Sequence, residues 1–183
     1  MRIRDMISES LHLLRAHAAD KAFRVRTAIV KMVNPNAIVV RGDWHLVLRD
    51  ENGNVKARRW VPCNVVVDEG KAHLANHLAT ASAAYPMSYL GIGTGTTAES
   101  ASQTGLTTEV GTRVNGTKSN PSGAIYRVVG TFAAGNGTGA ITEAGLFNQS
   151  ASSGDTMLNR KLFSAINKGA NDSLEITMEI TFS

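Results

Sequence analysis

Residues 174–183 read Leu-Glu-Ile-Thr-Met-Glu-Ile-Thr-Phe-Ser, an unbroken alternation of apolar and polar positions. Leu174, Ile176, Met178, Ile180 and Phe182 fall on one face and Glu175, Thr177, Glu179 and Thr181 on the other, the period of two that marks a half-buried strand. The same alternation predicts a strand from Ile38, where Trp44, Leu46 and Leu48 interleave with His45, Val47 and Arg49, and a partner strand over Val55 to Val67. Asp50-Glu-Asn-Gly53 lies between these runs, and its Asn-Gly pair predicts a hairpin turn. Further strands are predicted through Tyr89, Leu90 and Ile92, over Ile125 to Ala134, over Thr138 to Phe147 and over Met157 to Phe163. Gly135-Asn-Gly137 is expected to close a second hairpin between Ile125–Ala134 and Thr138–Phe147, because glycine accepts positive φ.

Helical spacing appears twice. Ile7, Leu11, Leu14 and Ala18 share one side of a predicted amphipathic helix over residues 5–21, with Arg4, Glu9, Arg15 and Lys21 mostly on other faces. Such a helix is marginal alone in water, so its apolar stripe needs a partner: its own β domain, an identical helix in an oligomer, or a host assembly. Asn34-Pro35-Asn36 then punctuates the chain, and no fibre-type heptads are read over several turns. Asp68 and Glu69 suit the first turn of a second helix running to Ala79, with Leu74, Leu78 and small alanines as its buried side. Roughly eight or nine short strands at this spacing predict a mainly β chain. The expected architecture is a β-sandwich or jelly-roll-like domain over residues 37–183 with one short inserted helix, preceded by a basic helical arm over residues 1–36.

Length and charge sharpen this picture. The 183 residues suffice for one domain with a real core plus an arm. No apolar run approaches the roughly 20 residues that a membrane helix needs, and the start of the chain lacks the apolar region of a signal peptide, so a soluble protein with no membrane partner is expected. Cys63 is the single cysteine, which excludes an internal disulfide and suggests a reducing compartment. Residues 1–60 hold 12 Lys or Arg against 6 Asp or Glu, whereas residues 61–183 hold 7 against 9. A basic first third fits an acidic partner, but the aromatic, Arg-interleaved pattern of a base-stacking surface is missing, so nucleic acid is not the expected partner. Were it one, Arg2, Arg4, Arg15, Lys21, Arg24 and Arg26 would carry the contact.

Candidate chemistry is sparse. Gly91-Ile-Gly-Thr-Gly-Thr96 lacks the Lys-Ser/Thr ending of a phosphate loop and reads as a strand end entering a loop. His73 and His77 share a helix face at a metal-binding spacing, but no third ligand lies nearby in sequence. Cys63 falls within a predicted strand, where a small buried hydrophobe is expected. Glu99, Glu109, Glu143, Asp155 and Asp172 are scattered singly. No catalytic residue, cofactor or metal is predicted, and the chain is expected not to be an enzyme.

From Tyr89 to Ser183 the chain resembles small structural proteins of tailed bacteriophages, found as virion decoration, neck and tail-fibre-associated modules. The resemblance is carried by Tyr89-Leu-Gly-Ile-Gly-Thr-Gly-Thr-Thr-Ala98, Gly105-Leu-Thr-Thr-Glu-Val110, Ile141-Thr-Glu-Ala-Gly-Leu-Phe-Asn148 and Gly154-Asp-Thr-Met-Leu-Asn-Arg160, with Phe163 and the last strand. Residues 64–75 look like the segment that often precedes this domain. The resemblance implies a non-enzymatic β-sandwich that assembles as a symmetric homo-oligomer, a trimer or larger ring, on a virion made in the bacterial cytoplasm. It further implies partners among portal, neck, tail or major capsid proteins.

The neck or tail-fibre apparatus is the expected position, with capsid decoration as one alternative and a receptor- or carbohydrate-binding module as another. Ile7, Leu11, Leu14, Arg15, Arg24 and Arg26 are the expected anchoring residues, and Leu146, Phe147 and Phe163 are expected in the core or an interface. A binder would use loop aromatics, for which Tyr85, Tyr89 and Tyr126 are the candidates.

Overall fold

Alternation along the strands builds two faces, and burial follows it residue by residue. In a computed structural model that describes residues 14, 17–18, 20–28, 31–34, 36–79 and 86–183, ten strands form two antiparallel sheets. They are β1 (Val40–Arg49), β2 (Val55–Pro62), β3 (Val65–Val66), β4 (Tyr89–Gly93), β5 (Glu109–Asn115), β6 (Thr117–Ser119), β7 (Ile125–Phe132), β8 (Gly139–Phe147), β9 (Met157–Lys168) and β10 (Ser173–Phe182). The first sheet has the order β2-β1-β10-β7-β6 and the second β3-β9-β8-β4-β5. The chain is a mainly β protein with the two layers of a β-sandwich.

Register sets the core. Trp44 lies opposite Met178, Leu46 opposite Ile176 and Leu48 opposite Leu174 across β1 and β10, while Met178 faces Val128 and Leu174 faces Phe132 across β10 and β7. These apolar rows pack with Leu90, Ile92, Ile141, Ala144, Leu146, Phe163 and Ile166 of the second sheet in one buried cluster. Fully burying each such aliphatic or aromatic side chain contributes about 1.5–3 kcal/mol. Apolar area therefore holds the layers together. Val67, Phe147 and Met157 form a separate small cluster, with Tyr89 and Leu106 packed on it.

The first hairpin forms as its turn chemistry predicts. Asp50 Oδ1 accepts from the Asn52 and Asn54 amides at 3.0 and 2.8 Å, and Gly53 takes φ +82°. The second expected hairpin does not form. Gly135 and Gly137 do turn the chain, at φ +81° and +67°, but β7 belongs to the first sheet and β8 to the second, so the segment crosses between layers. Turn residues specify a reversal and leave open which sheet receives the next strand.

The expected run from Val55 to Val67 is likewise split at Cys63. This residue sits at φ +63°, the single non-glycine in that region among the described residues, and the chain passes there from β2 to β3 in the other sheet. Cys63 is thus a half-buried residue of a crossover and not a strand residue. Strands β5 and β6 lie where none was expected, because their mostly polar, exposed sequences carry little alternation. Strand β9 runs past Phe163 to Lys168.

The inserted helix spans Asp68–Ala79. Only its first half docks: Gly70 is buried and Leu74 packs on the core, whereas Leu78, expected on the buried side, is 91% exposed. Its anchorage to β9 is specific. Glu69 Oε1 accepts from the Met157 amide at 2.8 Å, and the Val67 amide donates to Leu158 O at 3.1 Å.

The N-terminal helix also departs from expectation. Residues 14, 17–18, 20–28 and 31–33 are helical, so helical residues occur well beyond residue 21; residues 5–13, with Ile7 and Leu11, lie outside the described residues. It rests on the first sheet by a polar and aromatic side. Asp20 bonds Arg41, which also donates to Asp43 at 2.9 Å, and the Arg41 guanidinium lies 5.4 Å from the Phe23 ring centroid. The His17 ring meets Trp60 edge-on at 5.8 Å.

Gly70 provides a test with an inverted sign. Gly→Ala in a helix interior ordinarily stabilises by about 1 kcal/mol, but a Cβ here would stand 2.5 Å from Leu158 O and 2.7 Å from its Cα. Gly70→Ala is therefore expected to lower the midpoint of heat or denaturant unfolding, and an unchanged or raised midpoint would show that the helix does not seat on β9.

Candidate functional site

Two strand residues of opposite charge are paired in the interior of the second sheet. Glu143 on β8 and Arg160 on β9 are both completely buried, and Arg160 Nε donates to Glu143 Oε2 at 2.7 Å. The remaining capacity of each group is spent on the loop 94–108. Glu143 Oε1 accepts from the Gly95 and Thr108 amides at 3.0 and 2.8 Å, and Oε2 from the Thr107 amide at 3.1 Å. Arg160 donates to Gln103 Oε1 at 3.0 Å, Thr97 O at 3.0 Å and Thr107 Oγ1 at 3.2 Å.

The loop is stitched down further at its flanks. Thr142 Oγ1 donates to Gly95 O at 2.7 Å, Glu99 Oε1 accepts from the Leu162 amide at 2.6 Å, and the Asp68 amide donates to Ala101 O at 2.8 Å. Burial on its own would raise the Glu143 carboxyl, but the Thr108 amide, the Arg160 guanidinium and the Thr107 amide together hold it below the usual carboxylate range. A buried ion pair of this kind gains little net stability over an apolar pair, yet losing one partner strands a charge. Its effect is to fix one conformation of the loop.

A second polar cluster lies at the edge strand β5. Arg113, 3% exposed, donates through Nε and a terminal nitrogen to Glu109 at 2.6 and 2.9 Å, and through the other to Asp155 at 2.6 Å. The same group reaches Gln149 O and Ala151 O at 3.2 and 3.3 Å, and its guanidinium stacks 3.4 Å from the Phe147 centroid. A shallow polar pocket of about 490 Å³ adjoins it, lined by Glu109, Thr112 and the serine-rich turn 150–153. The cluster ties that turn to the second sheet.

Every singly scattered acid proves to be paired. Glu99 contacts Lys161 at 3.2 Å, Glu143 contacts Arg160, Glu109 and Asp155 share Arg113, and Asp172 contacts Lys56 at 2.7 Å. Glu109 and Asp155 thus come together as joint acceptors of one guanidinium, which is a structural arrangement. The Gly95 amide, at the heart of the glycine-rich stretch, is committed to Glu143. His73 and His77 do share a face, with rings stacked 6.2 Å apart, and no group of three metal-ligating side chains occurs among the described residues. An apolar recess of about 330 Å³ opens beside them, lined by Leu74, Met87, Tyr126 and Phe182, where burial pushes the Tyr126 phenol up to about 12.

No family model, curated protein or solved structure matches the chain.

The predicted anchoring residues are distributed unevenly. Leu14 is 67% exposed, Arg24 bonds Asp20 at 2.9 Å on the helix itself, and Arg26 is exposed, whereas Ile7, Leu11 and Arg15 lie outside the described residues. Leu146, Phe147 and Phe163 are buried within the subunit. Tyr85 is outside the described residues, and Tyr89 and Tyr126 are partly buried, Tyr126 donating to Met87 O at 2.6 Å. The roles of Arg160, Arg113, Gln103 and Thr107 were missed by sequence reasoning. One signal was present: two predicted strands carry opposite charges, Glu143 after Thr142 in one and Arg160 within Asn159-Arg-Lys161 in the other.

The clamp makes a pH-dependent prediction. Because Glu143 is held below its unfolded value, its contribution is complete above about pH 4.3 and is lost as pH falls through the lower folded value. Glu143→Gln should cost about 3–5 kcal/mol near neutrality, by leaving Arg160 buried without its counter-charge. That deficit should shrink as wild type and variant are compared by urea unfolding at successively lower pH, and a deficit independent of pH would refute the ionised pair.

Proposed function

We propose that this chain is a non-enzymatic structural component of a tailed-phage virion, docked on the particle as a symmetric homo-oligomer at the neck or tail-fibre apparatus. The observation that carries this function is the convergence of the phage-like blocks. Gly95 and Thr97 from the first, Thr107 and Thr108 from the second, Glu143 from the third and Arg160 from the fourth meet in one network around a single ion pair. Residues distant in sequence that resemble a structural family thus serve one structural purpose here, the fixing of a loop on a sandwich.

The chemistry points the same way. The buried charged groups Glu143, Arg160 and Arg113 are engaged by internal partners. Rigidity of the module and contacts multiplied by symmetry would then supply the function, as they do in closed homo-oligomers. The N-terminal helix, with Leu14 exposed and the polar side turned to the sandwich, is the element suited to contact portal, neck or tail proteins.

Mass spectrometry of gradient-banded particles from a strain that encodes the chain tests the assignment. Its peptides should co-purify with the major capsid protein in several copies per particle. A chain abundant in the lysate but absent from the banded particles would overturn the virion role.

A further inference from the structure

Hydrocarbon is left open where the inserted helix meets the margin of the sandwich. The recess of about 330 Å³ there has Leu158 of β9 and Ile180 of β10, both buried members of the core, as its floor. Leu74, Met87, Tyr126 and Phe182 supply its walls. Tyr126 lies opposite Ile180 across β7 and β10, so its ring stands on the inward face of the first sheet. Its hydroxyl donates to Met87 O at 2.6 Å, which leaves the ring to the recess. Phe182 is 36% exposed, and Leu78, one helical turn beyond Leu74, is 91% exposed, so apolar surface continues outward from the recess along the helix.

The polar groups converge at the mouth, and all are nitrogen bases. His73 and His77 stand one turn apart with their rings 6.2 Å from each other, and both line the recess. Lys118 reaches it from the edge strand β6. This lysine pairs with the buried Val128 of β7 yet is itself exposed, the disposition of a side chain whose stem covers apolar wall while its ammonium stays at the rim. No Asp or Glu lines the recess among the described residues. A hydrocarbon pocket with a few convergent polar groups is the usual form of a small-molecule site, and the sign of those groups selects the ligand. An ammonium and two imidazoles complement one anionic head, whereas a cationic head would meet Lys118 as a like charge.

We propose that this recess binds a small amphiphilic carboxylate, with its alkyl tail over Leu158, Ile180 and Phe182 and its carboxylate accepting from Lys118 and the paired imidazoles. The volume falls at the lower end of the range of ligand pockets, about 300–1,000 Å³, so a short or medium chain fits and a long one does not. A charge-assisted bond at the edge of hydrocarbon is also stronger than the same bond in open water. The site shares no residue with the clamp around Glu143 or with the N-terminal helix, and it is independent of the virion assignment.

Isothermal titration calorimetry of the full chain with decanoate tests the proposal, with decanol and decylammonium as probes of the head group and hexanoate and octanoate as probes of the tail. Decanoate should bind saturably, one molecule per chain, and more tightly than either decanol or decylammonium. Along the carboxylate series affinity should rise about fourfold for each methylene buried. Lys118→Glu changes an exposed side chain and should leave the melting midpoint where it is, while weakening decanoate at least about tenfold and favouring decylammonium. The double variant His73→Asn/His77→Asn should weaken decanoate and leave decanol unaffected. Absent or non-saturable uptake of decanoate by the wild type would overturn the site. Equal binding of the three head groups, or decanoate affinity that Lys118→Glu does not change, would overturn the recognition of a carboxylate.

Discussion

The pairing of Glu143 with Arg160 is the constraint around which the second sheet is arranged. Two charges taken wholly out of water are tolerable only if each finds a full set of partners, and here those partners are the backbone and side chains of a long loop without strands of its own. The loop is therefore not free to choose among conformations, since any other would expose or strand the pair. With the loop fixed, Leu106 is held over Phe147, and Phe147 in turn supports the Arg113 guanidinium. A chain of contacts thus runs from the buried pair to the serine-rich turn at the far edge of the sheet.

Much of the architecture was legible because strand alternation is a direct consequence of a pleated backbone with one wet face. β1, β10 and the hairpin at Asp50–Gly53 could be read from residue types alone, as could the helix begun by Asp68 and Glu69. What could not be read was the destination of each strand. The segments at Cys63 and at Gly135–Gly137 look like an ordinary strand interior and an ordinary hairpin, yet both carry the chain between layers. Such choices depend on which apolar rows match at a distance, as Leu174 with Phe132 does, and local sequence holds no record of them. The clamp was hidden for the same reason: Gly95, Thr107, Glu143 and Arg160 are unremarkable singly and acquire meaning by convergence.

The N-terminal helix shows the limit of the amphipathic rule. Its apolar stripe was legible, but the rule assigns such a stripe to the nearest core, and here the ion pairs of Arg41 with Asp20 and Asp43 seat the opposite side. Charged and aromatic contacts seat this helix on the sheet while Leu14, Val25 and Met32 stay exposed.

The tryptophans divide along this boundary. Trp44 is wholly enclosed in the sandwich, whereas Trp60 lies on the outer surface beneath the helix, between the imidazole of His17 at 5.8 Å and that of His45 at 6.3 Å. Imidazole is a contact quencher of indole emission, and solvent polarity shifts that emission to the red. The two indoles therefore sit in different surroundings: Trp44 in the closed core, where its emission would follow the integrity of the sandwich, and Trp60 against the helix, where its emission would follow the contact with His17.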